Sequence, residues 1–326
     1  MVRASIRVNN DLGVARFVRL AALCEELGFQ QLWVSHDLFW RSAPVLLTAA
    51  FGATSRIHLG VGVFNPVSQH PSEIAMTAAT LQEVSGGRFL LGLGAGADQF
   101  LAWAGLTFDP PVARTRRALQ ALRSLLAGAA PNAWTADGRL RTGPSPTPIY
   151  IGAMGARMLA LAGEMADGAL PLLFPPEHFA TAAEQVAGGA RAAGRDPCLL
   201  DVAACLWCSI DADAGRARRA LAEKIAYYGA SFAPHLLARA DLTVADFEPI
   251  QAAMATTDLD RASSLVTERM LSLGVVGSPD DVANRCAALV RAGASHLSFG
   301  PPLGPEPELA VRALGLEVLP ALRKLG

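Results

Sequence analysis

Short, nearly continuous apolar runs alternate along this chain with longer segments in which apolar residues return every three or four positions. The runs fall at 5–8, 31–35, 57–63, 89–93, 149–152, 168–172, 199–210 and 296–299. Runs this short, bounded by glycine and polar residues, read as strands. The longer segments, at 14–27, 44–53, 72–84, 114–127, 156–166 and 176–193, carry the helical period. Strand then helix, repeated, means parallel strands joined by right-handed crossovers, and continuous apolar strands belong to a parallel sheet covered by helices. Eight strands are what a closed α/β barrel needs, so the pattern predicts a (β/α)8 barrel in a single domain over 1–326.

The alternation breaks at about 211–276, where several helical segments replace one, and this reads as a helical insertion after strand seven. The helix before the eighth strand has a sharp start: Ser278 is a good N-cap, Pro279 suits the first helical position, and Asp280 and Asp281 place acids in the first turn. A second irregular stretch, 129–147, is rich in proline and glycine and reads as a long, lid-like loop before strand five. In a barrel of this kind ligands bind at the C-terminal ends of the strands. That rule gathers 35–41, 64–70, 94–100, 152–155, 173–177 and 300–304 around one mouth.

Composition narrows the function. With 52% hydrophobic and 17% charged residues the chain can bury a large core, and 28 basic against 29 acidic residues leave a net charge of -1. Such a balance disfavours nucleic acid and anionic membranes and suits a small, weakly charged ligand. The first residues do not form a signal peptide, and no window approaches about 20 apolar residues, so a cytoplasmic protein without membrane partners is expected. Five cysteines without repeated spacing do not make a disulfide framework. Cys205 and Cys208 form a C-x-x-C inside a strand-like run, where positions three apart face opposite sides, so they read as buried thiols.

Two glycine clusters follow strands. Gly92-x-Gly94-x-Gly96 lacks the helix start and the later acid of a dinucleotide fingerprint, and reads as room for a flat ring or a substrate. Gly152-Ala153-Met154-Gly155 precedes a helix, so its N–H groups suit a phosphate; an ordinary strand-to-helix turn explains the spacing equally well. Asn65-Pro66 and His70-Pro71 make the loop after strand three stiff. After strand two, Ser35 to Arg41 packs His36, Asp37, Trp40 and Arg41 into a few residues, a density of proton-transfer and ring-contacting groups that points to function. His58, His178, His235 and His296 lack metal-ligand spacing, and no metal is expected. The absence of G-x-S-x-G disfavours a serine hydrolase of that type.

His70 to Ala75, then Thr80 to Phe89 running into Leu91-Gly92-Leu93-Gly94, resembles the bacterial luciferase-like superfamily of flavin and deazaflavin oxidoreductases. Pro148 to Gly155 and the tail Phe299 to Pro305 look most like its methylenetetrahydromethanopterin reductase branch, which uses coenzyme F420, a 5-deazaflavin. The resemblance covers nearly the whole chain. It implies a TIM barrel, a homodimer, coenzyme F420 with flavin mononucleotide as second choice, and a small-molecule substrate. It also implies a non-prolyl cis peptide at Gly62–Val63 against one face of the ring. Trp40, Gly62, Val63, Phe64, Asn65, Gly94, Gly96, Gly152, Ala153, Met154 and Gly155 become the expected cofactor contacts. Arg7 and Ala97 stand where relatives carry acids, which leaves His36, Asp37 and Asp98 as the candidates for the proton. The expected activity is hydride transfer between the deazaflavin and an imine, iminium, enone or carbonyl carbon. The rivals are a flavin mononucleotide monooxygenase and a flavin-binding protein without turnover.

Overall fold

A computed structural model describes residues 2–96, 98–107, 110–229 and 232–324. The first half alternates β1 (Arg3–Val8), α1 (Val14–Glu26), β2 (Gln31–Val34), α2 (Ala43–Phe51), β3 (His58–Phe64), α3 (Pro71–Ser85), β4 (Phe89–Leu93), α4 (Asp98–Trp103) and α5 (Pro111–Leu126). It continues with β5 (Ile149–Ala153), α6 (Ala156–Met165), β6 (Gly168–Pro171), α7 (Phe179–Ala192) and β7 (Asp201–Ile210). Then come α8 (Ala214–Tyr228), α9 (Pro234–Leu237), α10 (Glu248–Ala255), α11 (Leu259–Ser264) and α12 (Glu268–Leu271), followed by β8 (Val275–Gly277), α13 (Pro279–Arg291), β9 (His296–Leu303), α14 (Pro307–Ala313) and α15 (Leu319–Arg323).

The sheet order is β6-β5-β4-β3-β2-β1-β9-β7-β8, and β6 also pairs with β7. β1 through β7 together with β9 therefore form a closed ring of eight strands, a (β/α)8 TIM barrel, whose described registers are all parallel. β8 is the ninth strand, added outside the ring along the end of β7.

The differences from expectation lie at the edges of elements. β8 is three residues long, too short for the sequence to show a period. The strand expected from 199 starts at Asp201, because Asp196 caps a 3-10 turn at Pro197–Leu199 by accepting the Cys198 N–H at 2.9 Å. The helix expected at 176–193 is a 3-10 turn, Pro176–His178, running into α7. α4 occupies a stretch read as irregular, and β9 runs on through Pro301 and Pro302 to Leu303. The insertion is helical, as expected, and α13 has the expected cap: Ser278 accepts from the Asp281 N–H while the Asp281 carboxylate accepts from Ser278.

Two compact units divide the chain. One comprises the start of β1, Leu172–Thr181, and everything from Ala204 onward. Its interior holds an aromatic cluster in which Phe174 and Phe232 flank Trp207 with centroids 4.8 and 5.5 Å away, the former measured from Phe174 to Trp207. Lys224 lies over the rings of Trp207 and Tyr228. Cys205 and Cys208 are buried, unbridged thiols on β7.

The other unit comprises Arg7–Pro171 and Ala182–Ala203. Its helices pack through small residues: a Cβ on Gly163 would lie 1.9 Å from the Val186 carbonyl oxygen, and one on Gly189 2.1 Å from that of Ala160, so α6 and α7 cross backbone to backbone. At the N-terminal end of its strands Trp33 donates to Gln31 (2.9 Å), Gln31 donates to Asp201 (3.3 Å), and the Tyr150 hydroxyl donates to the same carboxylate (2.9 Å). Gly60 makes room for this layer, since a Cβ there would sit 2.4 Å from the Trp33 ring. Among the described residues no helix is long and apolar enough to cross a membrane, and no three His, Cys, Asp or Glu side chains are grouped to hold a metal ion.

Candidate active site

Every expected site residue belongs to the unit containing Arg7–Pro171 and lies in or just beyond the C-terminal half of β3 or at the ends of β2, β4 and β5. The Gly62–Val63 peptide is cis, as the resemblance implied. The β3–β4 register shifts between Val61 and Phe64, so the strand leaves its ladder at these two residues. Gly62 and Val63 are half-buried, whereas Phe64 and Asn65 are buried.

The glycine clusters take on a different meaning here. A Cβ on Gly94 would come 2.9 Å from one Val63 methyl, one on Gly152 2.9 Å from the other, and one on Gly92 3.2 Å from it. Gly94 and Gly152 hollow out a slot for the Val63 side chain, whereas at Gly92 a Cβ would first meet the Val61 carbonyl oxygen, at 2.2 Å. The room expected at Gly94 for a flat ring is thus filled by the chain itself. At Gly96 a Cβ would meet the Asn65 amide nitrogen at 2.5 Å, and that nitrogen donates to the Ala95 carbonyl (2.5 Å) while Asn65 Oδ1 accepts the Val67 N–H (2.8 Å). Asn65 is a clasp between two loops, and Ala153 is buried against β6. What these residues can offer a ligand is the surface they shape.

Gly155 behaves differently. It is the N-cap of α6, with extended backbone and nothing within 4 Å of where a Cβ would stand, and Met154 beside it is half-buried. No side chain caps α6, so its first N–H groups lack a side-chain acceptor, which fits a phosphate.

The 35–41 loop is organised by a residue that the sequence reading missed. Asn10, fully buried after β1, donates from Nδ2 to the carbonyls of Asp37 (2.9 Å) and Arg41 (2.7 Å) and accepts from the Ser35 hydroxyl at Oδ1 (2.9 Å). Nothing in Asn9-Asn10-Asp11 distinguishes it from turn punctuation. His36 packs edge-on against Phe64, centroids 5.1 Å apart. Its Nδ1 accepts the Ala43 N–H at 3.1 Å, and Nε2 is 3.3 Å from the Gln69 amide. Burial pushes the imidazole below its ordinary pKa, so the ring is neutral at physiological pH. Trp40 and Phe39 are 57% and 67% exposed, and Phe39 has a φ of 69°, a left-handed conformation rare for an aromatic residue. Phe39 also lies 6.3 Å from Trp103, which is 58% exposed and sits 5.4 Å from the half-buried Phe100. Asp98 opens α4, but its side chain, and Ala97 altogether, lie outside the described residues.

The structure thus brings His36, Val63, Phe64, Asn65, Gly94, Gly96 and Gly152 into one contact set. Trp40 and Gly155 are exposed or open positions in the same unit. The contact set is a floor shaped by Val63 and Phe64 with a neutral imidazole beside it, and the uncapped start of α6 lies in the same unit.

The luciferase-like monooxygenase family model matches residues 3–296. The chain is 34% identical to the 5,10-methylenetetrahydromethanopterin reductase of Methanolobus tindarius over 94% of this chain and 96% of the relative. It is 33% identical to that of Archaeoglobus fulgidus over 92% and 94% respectively. Among solved structures, the coenzyme F420 dependent tetrahydromethanopterin reductase of Methanopyrus kandleri superposes with a TM-score of 0.90 at 30% identity, covering 98% of this chain and 99% of that one. An F420-dependent secondary alcohol dehydrogenase bound to an F420-acetone adduct shares the fold, with a TM-score of 0.79 at 21% identity over 99% of both chains.

Proposed function

We propose that this chain, which belongs to the luciferase-like monooxygenase family, works within it as a coenzyme F420-dependent oxidoreductase acting on a small organic molecule. The observation that carries the reading is likeness at near full length to reductases of one cofactor class, 34% identity over 94% of the chain. The residues present fit a deazaflavin. The open start of α6 at Gly155 and Met154 suits its phosphate, the Gly62–Val63 segment standing out of the ladder offers a surface for a ring, and Trp40 is exposed. When bound, the deazaflavin supplies or takes up the hydride.

The chain's own residues do the rest. Val63, seated in its slot of glycines, and Phe64 beneath His36 hold the floor rigid. His36, whose Nδ1 accepts the Ala43 N–H, forms a neutral wall. The proton that accompanies the hydride is assigned to Asp37, whose backbone Asn10 fixes, ahead of His36 and Asp98. The electrophile is of imine, iminium, enone or carbonyl type, and the assembly a homodimer, whose mass in solution tests that part.

The deciding experiment is equilibrium titration of the purified protein with coenzyme F420 and with flavin mononucleotide. Tighter binding of F420 is expected. Tight flavin binding with no affinity for F420 would overturn the reading in favour of an oxygenase.

A further inference from the structure

Gln69 ends the stiff loop after β3, and its backbone N–H donates to the Asn65 carbonyl at 3.0 Å. Its side-chain Nε2 lies 3.3 Å from His36 Nε2, while its Oε1 is buried with no hydrogen-bond partner among the described residues. The other side of the imidazole settles what this contact must be. Because Nδ1 accepts the Ala43 N–H, it carries no hydrogen, and the single hydrogen of a neutral ring is then on Nε2. A ring N–H facing an NH2 group is a meeting of two donors. A half-turn of the carboxamide moves no other atom, puts Oε1 opposite the ring, and turns the clash into an N–H···O bond. One end of the amide lacks a partner in either orientation, so the half-turn gains a hydrogen bond and loses none.

We propose that Gln69 is a positioning residue whose Oε1 accepts the His36 Nε2–H and, together with the Ala43 amide, locks His36 as the neutral Nε2–H tautomer. Among the described residues the ring meets Phe64 from β3, Ala43 from α2 and Gln69 from the loop, none of them charged. His70, next to Gln69, is occupied with the Ser72 hydroxyl at 2.7 Å. With both nitrogens engaged, His36 neither gives nor takes the reaction's proton unless Gln69 swings away. That consequence for catalysis rests on the functional reading above; the lock itself does not.

The test is nitrogen NMR of the full chain labelled at histidine, without cofactor, comparing wild type with Gln69→Leu and Gln69→Glu. In the wild type, His36 is expected as the Nε2–H tautomer at neutral pH, with slow exchange of that hydrogen with water. Gln69→Leu removes the acceptor and should speed the exchange by about 10-fold or more, taking a lost hydrogen bond at about 1.4 kcal/mol. Gln69→Glu restores an acceptor, should restore slow exchange, and should raise the imidazole pKa by about one unit or more. His296, buried and paired with the Ser5 hydroxyl at 2.8 Å, serves as the folding control in all three proteins. An Nδ1–H tautomer or an imidazolium in the wild type would overturn the lock. So would unchanged exchange in Gln69→Leu with the His296 signal intact. The cofactor titration is a separate measurement, so a failed lock with F420 bound leaves the activity standing, and the reverse result leaves the lock standing.

Discussion

Val63 is the side chain around which the candidate floor is cut, and its neighbours make that measurable. Gly152→Ala places a methyl 2.9 Å from a Val63 methyl, an overpacking expected to cost about 1–3 kcal/mol in urea unfolding. Val63→Ala added to it should relieve the clash, so the double variant is expected to be more stable than the sum of the singles by at least about 0.5 kcal/mol. Strict additivity would mean that the glycine was not there for Val63. Asp37 is the second test at this scale. Asp37→Ala should lower turnover about 100-fold or more while cofactor affinity is kept. Normal turnover in Asp37→Ala, His36→Ala and Asp98→Ala alike would move the proton to solvent or to the substrate. The sequence showed that 35–41 is dense in chemistry. It was silent on Asn10 and Gln69, because a side chain that holds a loop from another element leaves no mark at its own position.

Helix ends carry the next pair of expectations. Gly155→Val at the cap of α6 meets no neighbour and keeps an extended backbone that valine adopts readily, so a stability loss of about 1 kcal/mol or less is expected. Cofactor affinity should nonetheless fall by about 10-fold or more, read in the same titration that ranks the cofactors. Glu25, in the last turn of α1, ties that helix to the lead-in of β3. Burial works against its charge, yet the N–H groups of Ile57, Arg56 and Ser55 and the Ser55 hydroxyl hold its carboxyl down at about 2. A carboxyl whose folded pKa is depressed stabilises above its unfolded value and loses that contribution as pH falls toward the folded one. Thermal unfolding should therefore show a drop in stability between pH about 4.5 and about 2 that Glu25→Gln shares in smaller measure, with a loss at neutral pH of about 1 kcal/mol after solvent screening. Helices with a clear apolar period were legible to within a few residues, and the start of α13 most sharply, because a period and a cap are local chemistry. β8, three residues long, was not, since it exists only by pairing with β7.

The whole barrel has a polarity that one substitution can expose. Asp201 accepts from Tyr150 and Gln31 at the start of the strands, away from the glycine slot and the open cap at their ends. Asp201→Ala is expected to cost about 1–3 kcal/mol in urea unfolding and to leave F420 affinity unchanged. A parallel loss of affinity would contradict the separation of a stabilising end from a functional one. The repeat of strand and helix determined the eight-stranded ring, because periodicity and right-handed crossover leave an alternating chain little other choice. Local residue chemistry likewise determined where the site had to be sought. Only the tertiary structure decided what each of these residues touches. Gly94 reads as room for a ring and Gly152 as part of a phosphate loop, yet both make space for Val63; Gly96 yields to Asn65, and His36 reads as a proton donor yet stands neutral between Ala43 and Gln69. The physical reason is that empty space and protonation belong to the neighbours a residue meets across the fold, and one-dimensional order does not contain them.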